Sequence, residues 1–171
     1  KLKHFVSKEA FNIDGLGKKI IENFWKLKLI RKPQDIFRLD YNKIESLEGW
    51  GKLSVENLKY SINEKKNISL ERLIYALGIR HIGLENAKLL SKFFKTFSNF
   101  KELPNKNNYN DLLNVDKIGE TQVSSIKIFF SNKINNEVVN ELSKELFIKN
   151  ALIKKKNGLL KNHTFMITGK L

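Results

Sequence analysis

The chain has 171 residues and a mass of 19.9 kDa, with 32 Lys plus Arg against 18 Asp plus Glu (net charge +14), 41% apolar residues and no cysteine. That apolar fraction supports a packed core rather than a mainly disordered chain, the missing cysteine excludes disulfides and thiolate metal sites, and no apolar run approaches the ~18 residues of a membrane span. The three histidines, His4, His81 and His163, are far apart in sequence, which argues against a zinc site built from this chain.

In chain order, the first expected element is a short helix over Lys8–Phe11 capped by Ser7. The string IDGLGKKIIENF follows from Ile13, a Gly15-Leu16-Gly17 turn running into a helix. Pro33 separates this unit from the next, because proline breaks a helix interior. Asp40 caps a helix over Tyr41–Ser46, which leads into LEGWGKLSVENL from Leu47, with the turn Gly49-Trp50-Gly51. Ser69 caps Leu70–Leu77, and IRHIGLENAKLL follows from Ile79, with the turn His81-Ile82-Gly83. After Pro104, a short helix over Tyr109–Asn114 precedes VDKIGETQVSSI from Val115, whose turn is Lys117-Ile118-Gly119. A last amphipathic helix runs from about Asn136 to Phe147, with Val138, Val139, Leu142, Leu146 and Phe147 toward the core. Residues 1–150 show no strand pattern.

The four strings are repeats. Their closing glycines, Gly17, Gly51, Gly83 and Gly119, lie 34, 32 and 36 residues apart. Four residues after them come Ile21, Val55, Ala87 and Val123, and seven after come Phe24, Leu58, Leu90 and Ile126. Those offsets form one apolar stripe on a helix beginning at the glycine. A period near 34 also fits tetratricopeptide repeats, but that pattern places no glycine-apolar-glycine turn between its helices. The expected fold is therefore all-α, four tandem helix-turn-helix units packed as two pseudo-symmetric pairs.

Leu16, Trp50, Ile82 and Ile118 point into the hairpins, while the glycines allow φ > 0 and leave no side chain in front of the backbone. The helix that follows starts with free N–H groups at its positive dipole end, which is an anion site. Lys18, Lys19 and Lys52 add charge beside it. His81 and Lys117 replace the first glycine in the third and fourth turns, and both side chains can reach a phosphate. Glycines also serve simply to make tight turns, but four such turns in a chain of this charge favour phosphate contact. A pI near 9.8, carried by 28 Lys and only Arg31, Arg38, Arg72 and Arg80, favours backbone contact over base reading. Codon bias in an AT-rich genome would enrich Lys, Asn and Ile in the same way. Asp14, Asp116 and Glu120 read as helix-start acids, and Trp50, Phe93, Phe94, Phe97 and Phe100 as packing residues.

The C-terminal stretch differs in composition. Residues 1–150 hold 27 basic and 18 acidic groups, net +9, whereas residues 151–171 hold five basic and no acidic groups. Lys154–Lys156 and Asn157-Gly158 read as a basic linker over 151–162, and Met166 and Ile167 alternate as a strand does over 163–171. The chain opens on Lys1, lacks a secretory pattern and stops after Leu171, and so reads as a piece of a longer intracellular protein.

Four strings carry a family resemblance: LKHFVS at Leu2–Ser7, NIDGLG at Asn12–Gly17, YALGIRHIG at Tyr75–Gly83 and TFMITGKL at Thr164–Leu171. The chain resembles the helix-hairpin-helix domain of bacterial NAD-dependent DNA ligase followed by the first strand of the BRCT domain. The resemblance implies a cytoplasmic, nucleoid-associated bacterial enzyme with a four-cysteine zinc finger and an adenylation domain upstream. It also implies NAD, magnesium and a structural zinc as cofactors of the parent, with none in this fragment. The partner it implies is nicked duplex DNA, gripped on the minor-groove side around the nick, together with the other domains of the same chain, in a monomer. Residues matched to DNA contact are Gly15, Gly17, Lys18, Lys19, Gly49, Gly51, Lys52, Arg80, His81, Gly83, Lys117 and Gly119, with Arg80 and His81 the foremost side chains.

The family's Lys-x-Asp-Gly nucleophile motif has its nearest match in Asn12-Ile13-Asp14-Gly15, and asparagine cannot form the phosphoramidate. No Gly-Lys-Ser/Thr string occurs either. The fragment alone is therefore expected to be inactive. Tandem units of this kind also occur in structure-specific nucleases and excision-repair subunits, which is the alternative reading. A protein-interaction module or a membrane-surface binder are further alternatives.

Overall fold

The structure is a computed structural model that describes residues 1–151. The expected strand at 163–171 and all of the basic linker after Ala151 lie outside the described residues. The chain is mostly helical: α1 (Leu2–Phe5), α2 (Lys18–Lys26), a 3-10 helix (Pro33–Arg38), α3 (Tyr41–Glu45), α4 (Lys52–Lys65), α5 (Leu70–Ala76), α6 (Leu84–Phe94), α7 (Phe97–Lys101), α8 (Leu103–Lys106), a second 3-10 helix (Tyr109–Asn114), α9 (Glu120–Ser131) and α10 (Lys133–Glu145). Two short strands, β1 (Asn67–Ser69) and β2 (Phe147–Lys149), correct the all-α expectation. They pair in parallel with Ile68 opposite Ile148.

β2 takes over where the last helix was expected to continue. Leu146 is extended, at φ −112° and ψ 142°, and the Phe147 amide donates to the Lys66 carbonyl at 2.8 Å. Phe147, expected in the core, is consequently 70% exposed. The expected helix over Lys8–Phe11 does not form either, for a non-local reason. The Arg72 guanidinium on α5 donates to the carbonyls of Ala10 and Lys8, both at 2.7 Å, tying the segment to α5, while the Phe11 amide donates to the Phe5 carbonyl at 3.1 Å in a succession of turns. Ser7 caps no helix, and its hydroxyl is buried without a partner among the described residues. Asp40 does cap α3, accepting the Lys43 amide at 3.2 Å, whereas the Ser69 side chain makes no such bond to α5. The two prolines start short helices rather than separating long ones: Pro33 opens the first 3-10 helix and Pro104 lies in the first turn of α8.

The apolar stripe read from the repeats is the core. Ile21, Phe24, Val55, Leu58, Ala87, Leu90, Val123 and Ile126 are all buried. Aromatic rings concentrate in two knots. Phe5 stacks on Phe11 with centroids 4.2 Å apart, and Phe37 lies 5.5 Å from Phe11. Phe100 meets Phe94 and Phe130 at 5.3 and 5.2 Å. Phe93 departs from its expected core position and is exposed at the helix surface.

α10 returns to close the chain on the first 3-10 helix. Arg38 donates to Glu145 at 2.6 Å and to Glu141 at 2.8 Å, acids one helical turn apart on α10, and Lys32 pairs with Glu137 at 2.8 Å. The Glu141 carboxyl is held below the usual carboxylate range, first by the hydrogen bond from Lys144 and then by that from Arg38.

Arg72 fixes the entry to the first turn from 62 residues away. Arg72→Ala should lower the free energy of urea unfolding by about 2 kcal/mol, since it leaves two charge-assisted hydrogen bonds unmade.

Candidate nucleic-acid interface

The four glycine-containing turns share one geometry. In each, the amide of the apolar residue donates to the carbonyl three residues earlier: Leu16 to Ile13 at 3.3 Å, Trp50 to Leu47 at 3.1 Å, Ile82 to Ile79 at 3.1 Å and Ile118 to Val115 at 3.0 Å. The residue before it sits at positive φ: Gly15 at 84°, Gly49 at 81°, His81 at 61° and Lys117 at 62°. This is the backbone of a type II-like turn, which favours glycine at that position. His81 and Lys117 adopt the same conformation with a side chain attached.

The closing glycines differ from expectation. Gly17, Gly51, Gly83 and Gly119 have extended, negative-φ backbone and act as helix N-caps. Their identity does not come from a need for φ > 0. Each begins the helical ladder in the same way, its carbonyl accepting the amide of Ile21, Val55, Ala87 or Val123 at 2.9–3.1 Å. A Cβ built on Gly17, Gly51 or Gly83 would meet nothing within 4 Å, and on Gly119 only the Gln122 side chain at 3.6 Å. Ser, Thr, Asp and Asn are better N-caps than glycine. Neither backbone conformation nor packing requires glycine at these four positions, and the space in front of Gly17, Gly51 and Gly83 is open.

In the first turns of the following helices, the amides of Lys18, Lys19 and Ile20, and their counterparts at Lys52, Leu84 and Glu120, find no acceptor among the described residues. Two partners went unread in the sequence. Ser54 Oγ accepts the Gly51 amide at 3.0 Å and Gln122 Oε1 accepts the Gly119 amide at 3.1 Å. The visible signal was a Ser or Gln three residues after the cap, the second half of a capping box.

Leu16, Ile82 and Ile118 are buried as expected, and half-buried Trp50 packs on Phe24 of α2 with rings 5.5 Å apart. Lys18, Lys19, Lys52, Arg80, His81 and Lys117 are all exposed. None of the four lysines, nor Arg80, is in an ion pair among the described residues; Glu22, Glu85, Glu137, Glu141 and Glu145 pair instead with Lys3, Lys32, Arg38, Lys66, Lys88 and Lys144, and the turn acids Asp14, Glu48, Asp116 and Glu120 are exposed and likewise in no ion pair there. The structure brings neighbouring turns together. A Cβ on Gly15 would lie 3.4 Å from Leu58 of α4. Glu85, at the start of α6, is held below the usual carboxylate range first by the hydrogen bond from Lys88, with the charge of Lys117 in the fourth turn contributing. Asn12, in the nucleophile-like string, is a turn residue at φ 50°. No three His, Asp or Glu residues converge among the described residues.

Residues 72–139 match a family model described as a helix-hairpin-helix motif. Over its whole length the chain is 66% identical to a protein of Pelagibacter ubique named DNA ligase, covering 25% of it. It is 42% identical to the DNA ligases of Ehrlichia canis and Rickettsia canadensis, covering 26% and 27% of them. The chain thus spans about a quarter of the length of the curated relatives it matches.

The two glycines of a turn should respond differently to substitution. Gly15→Val, forced into φ 84° and toward Leu58, should lower stability by about 2 kcal/mol or more. Gly17→Val, with ordinary backbone and open space, should lower it by about 1 kcal/mol at most. Lys117→Gly should leave thermal stability unchanged or raise it, because left-handed backbone costs a non-glycine residue about 1 kcal/mol.

Proposed function

We propose that this chain is the duplex-gripping part of an NAD-dependent DNA ligase that seals nicks in replication and repair. It binds DNA without regard to sequence, through phosphates on the minor-groove side around a nick. The observation that carries this is the set of four N-cap glycines whose missing side chains serve no contact within the chain. A phosphate can reach the helix N-terminal amides there, and the exposed cations of each turn surround it. The full-length similarity to proteins named DNA ligase supports the parent activity.

In this proposal the hairpins work as two pseudo-symmetric pairs, first with second and third with fourth. The contacts of Trp50 with Phe24 and the field of Lys117 at Glu85 are consistent with that pairing. Each pair holds both strands across one minor groove, and Arg80 and His81 extend from the third turn toward the groove. The work done is positional: the duplex ends at a nick are kept in register while other domains of the same chain carry out the chemistry. In this proposal NAD, magnesium and zinc are bound by those other domains: this chain has no cysteine for a thiolate zinc site, and its one string like the nucleophile motif carries Asn12 in place of lysine. We further propose that the protein acts as a monomer in the bacterial cytoplasm.

Binding to labelled nicked and intact duplexes should be measured against salt. Four neutralised phosphates would cost about 100-fold in affinity between 50 and 200 mM salt, irrespective of sequence. A flat salt response, or strong sequence preference, would overturn the clamp. Gly17→Val combined with Gly51→Val should weaken binding at least about tenfold with the helical circular dichroism preserved. Arg80→Ala should weaken it by a smaller factor and reduce the salt slope by about one unit.

A further inference from the structure

Away from the turns, a groove of about 800 Å³ opens between α1, α2, the segment leading into the first 3-10 helix, the end of α5, and the α9–α10 junction. Its size is in the range of built ligand sites. The floor is apolar: Leu2, Phe5, Ile21, Leu77, Phe129 and Val138 contribute to it. Two large apolar side chains on its wall remain open to solvent, Trp25 at 47% and Ile134 at 59%.

The rim is cationic. It carries Lys1, Lys3, Lys26, Arg31 and Lys32 against the single acid Glu22. Glu22 is already paired with Lys3, and Lys32 pairs with Glu137. The side chains of Lys26 and Arg31 are in no ion pair among the described residues; the Arg31 backbone amide donates to the Asp35 carboxylate at 2.7 Å.

Arg31 is also the arginine that the rest of the structure leaves without a task. Arg38 is bonded to Glu141 and Glu145, Arg72 to two backbone carbonyls, and Arg80 stands on the third turn. Arg31 lies over the Trp25 ring, its guanidinium carbon 4.6 Å from the centroid. Stacking fixes the guanidinium plane while leaving its edge free for a carboxylate. An exposed Trp–Arg pair beside an apolar floor has the composition of an interface hot spot.

Phosphate backbone fits the rim but has nothing to place on the floor. A carboxylate-bearing segment with apolar side chains satisfies both. We propose that the groove docks an acidic peptide segment of a protein partner, an apolar anchor seated against Trp25 and the floor, its carboxylates on Arg31 and Lys26. Ile21, Trp25 and Phe129 line it from the later parts of α2 and α9, helices whose other ends begin at Gly17 and Gly119. The inference does not rest on the DNA-binding proposal.

The test uses a fluorescein-labelled peptide with four aspartates flanking a Phe-Leu-Phe centre, followed by anisotropy, on this chain and on the full product of its gene. Saturable binding should appear and weaken at least about tenfold in Arg31→Glu and in Trp25→Ala. Nicked-duplex affinity should change by less than about threefold in Trp25→Ala, separating this site from the turns. An all-aspartate peptide, and the same apolar centre flanked by serines, should each bind at least about tenfold more weakly. Equal binding of the all-aspartate peptide would reduce the effect to bulk charge and overturn the proposal. So would displacement of the peptide by equimolar nicked duplex, which would assign the groove to DNA. Loss of binding in the full gene product would assign it to another segment of the same chain. A concentration-dependent dimer that excludes the peptide would assign it to a second copy.

Discussion

One backbone requirement governs what the four hairpins present: the third residue of each turn must sit at positive φ so that the next amide can close the turn. With that bond made, the apolar residue drops into the core and the following glycine becomes the helix N-cap. The first helical amides then open outward. Gly15 and Gly49 meet the requirement without cost, whereas His81 and Lys117 carry a side chain into left-handed backbone at about 1 kcal/mol each. Both strained residues are exposed, so burial of their side chains does not offset the cost. Strain that buys no packing is characteristic of a site that uses the side chain.

Charge is divided between holding the fold and leaving it open. Glu137, Glu141 and Glu145 sit on one face of α10 and take Lys32 and Arg38, joining the last helix to the first 3-10 helix. Glu22 and Glu85 are likewise occupied, by Lys3 and Lys88. These pairs are reached by solvent, which screens them, so each adds little to stability. Their larger effect is on the distribution of potential. Acids are neutralised at the seams between elements, while Lys18, Lys19, Lys52, Arg80 and Lys117 at the turns and Lys26 and Arg31 at the apolar groove keep their charges out of ion pairs among the described residues.

The turns and the helices after them were legible because their signal is local and repeated four times. The 3-10 helix over Tyr109–Asn114 and the cap at Asp40 were legible for the same reason. The misses share a cause, which is dependence on a distant partner. β1 and β2 have three residues each and lie 80 residues apart, too short for alternation to register. Ser7 looks like a helix cap, yet the segment after it is a succession of turns tied to α5 by Arg72, a partner more than 60 residues away. The glycine turns form where the spacing places them, but the φ > 0 argument holds for only one of the two glycines in a turn. The first glycine answers a dihedral requirement and the second leaves space, and only coordinates separate the two. The Trp25–Arg31 pair carries no periodic signal, since it joins a helix to the loop beyond it.

The hairpins solve one electrostatic problem in two opposite ways. α2 and α4 begin with Lys18, Lys19 and Lys52 and have no acid in the first turn. Cations there oppose the helix dipole at a cost of roughly 0.3–1 kcal/mol each. α6 and α9 begin instead with Glu85 and Glu120, which favour the dipole. Their positive charge moves one step back into the turn itself, to Arg80 and Lys117. At the first two turns the lysines and the helix dipole therefore oppose one another, and an anion placed there would relieve both. At the last two turns the acid already offsets the dipole, and the cationic side chains lie in the turn. Under the proposed phosphate binding, an anionic ligand spanning all four would gain from relieved repulsion at one pair and from positioned side chains at the other.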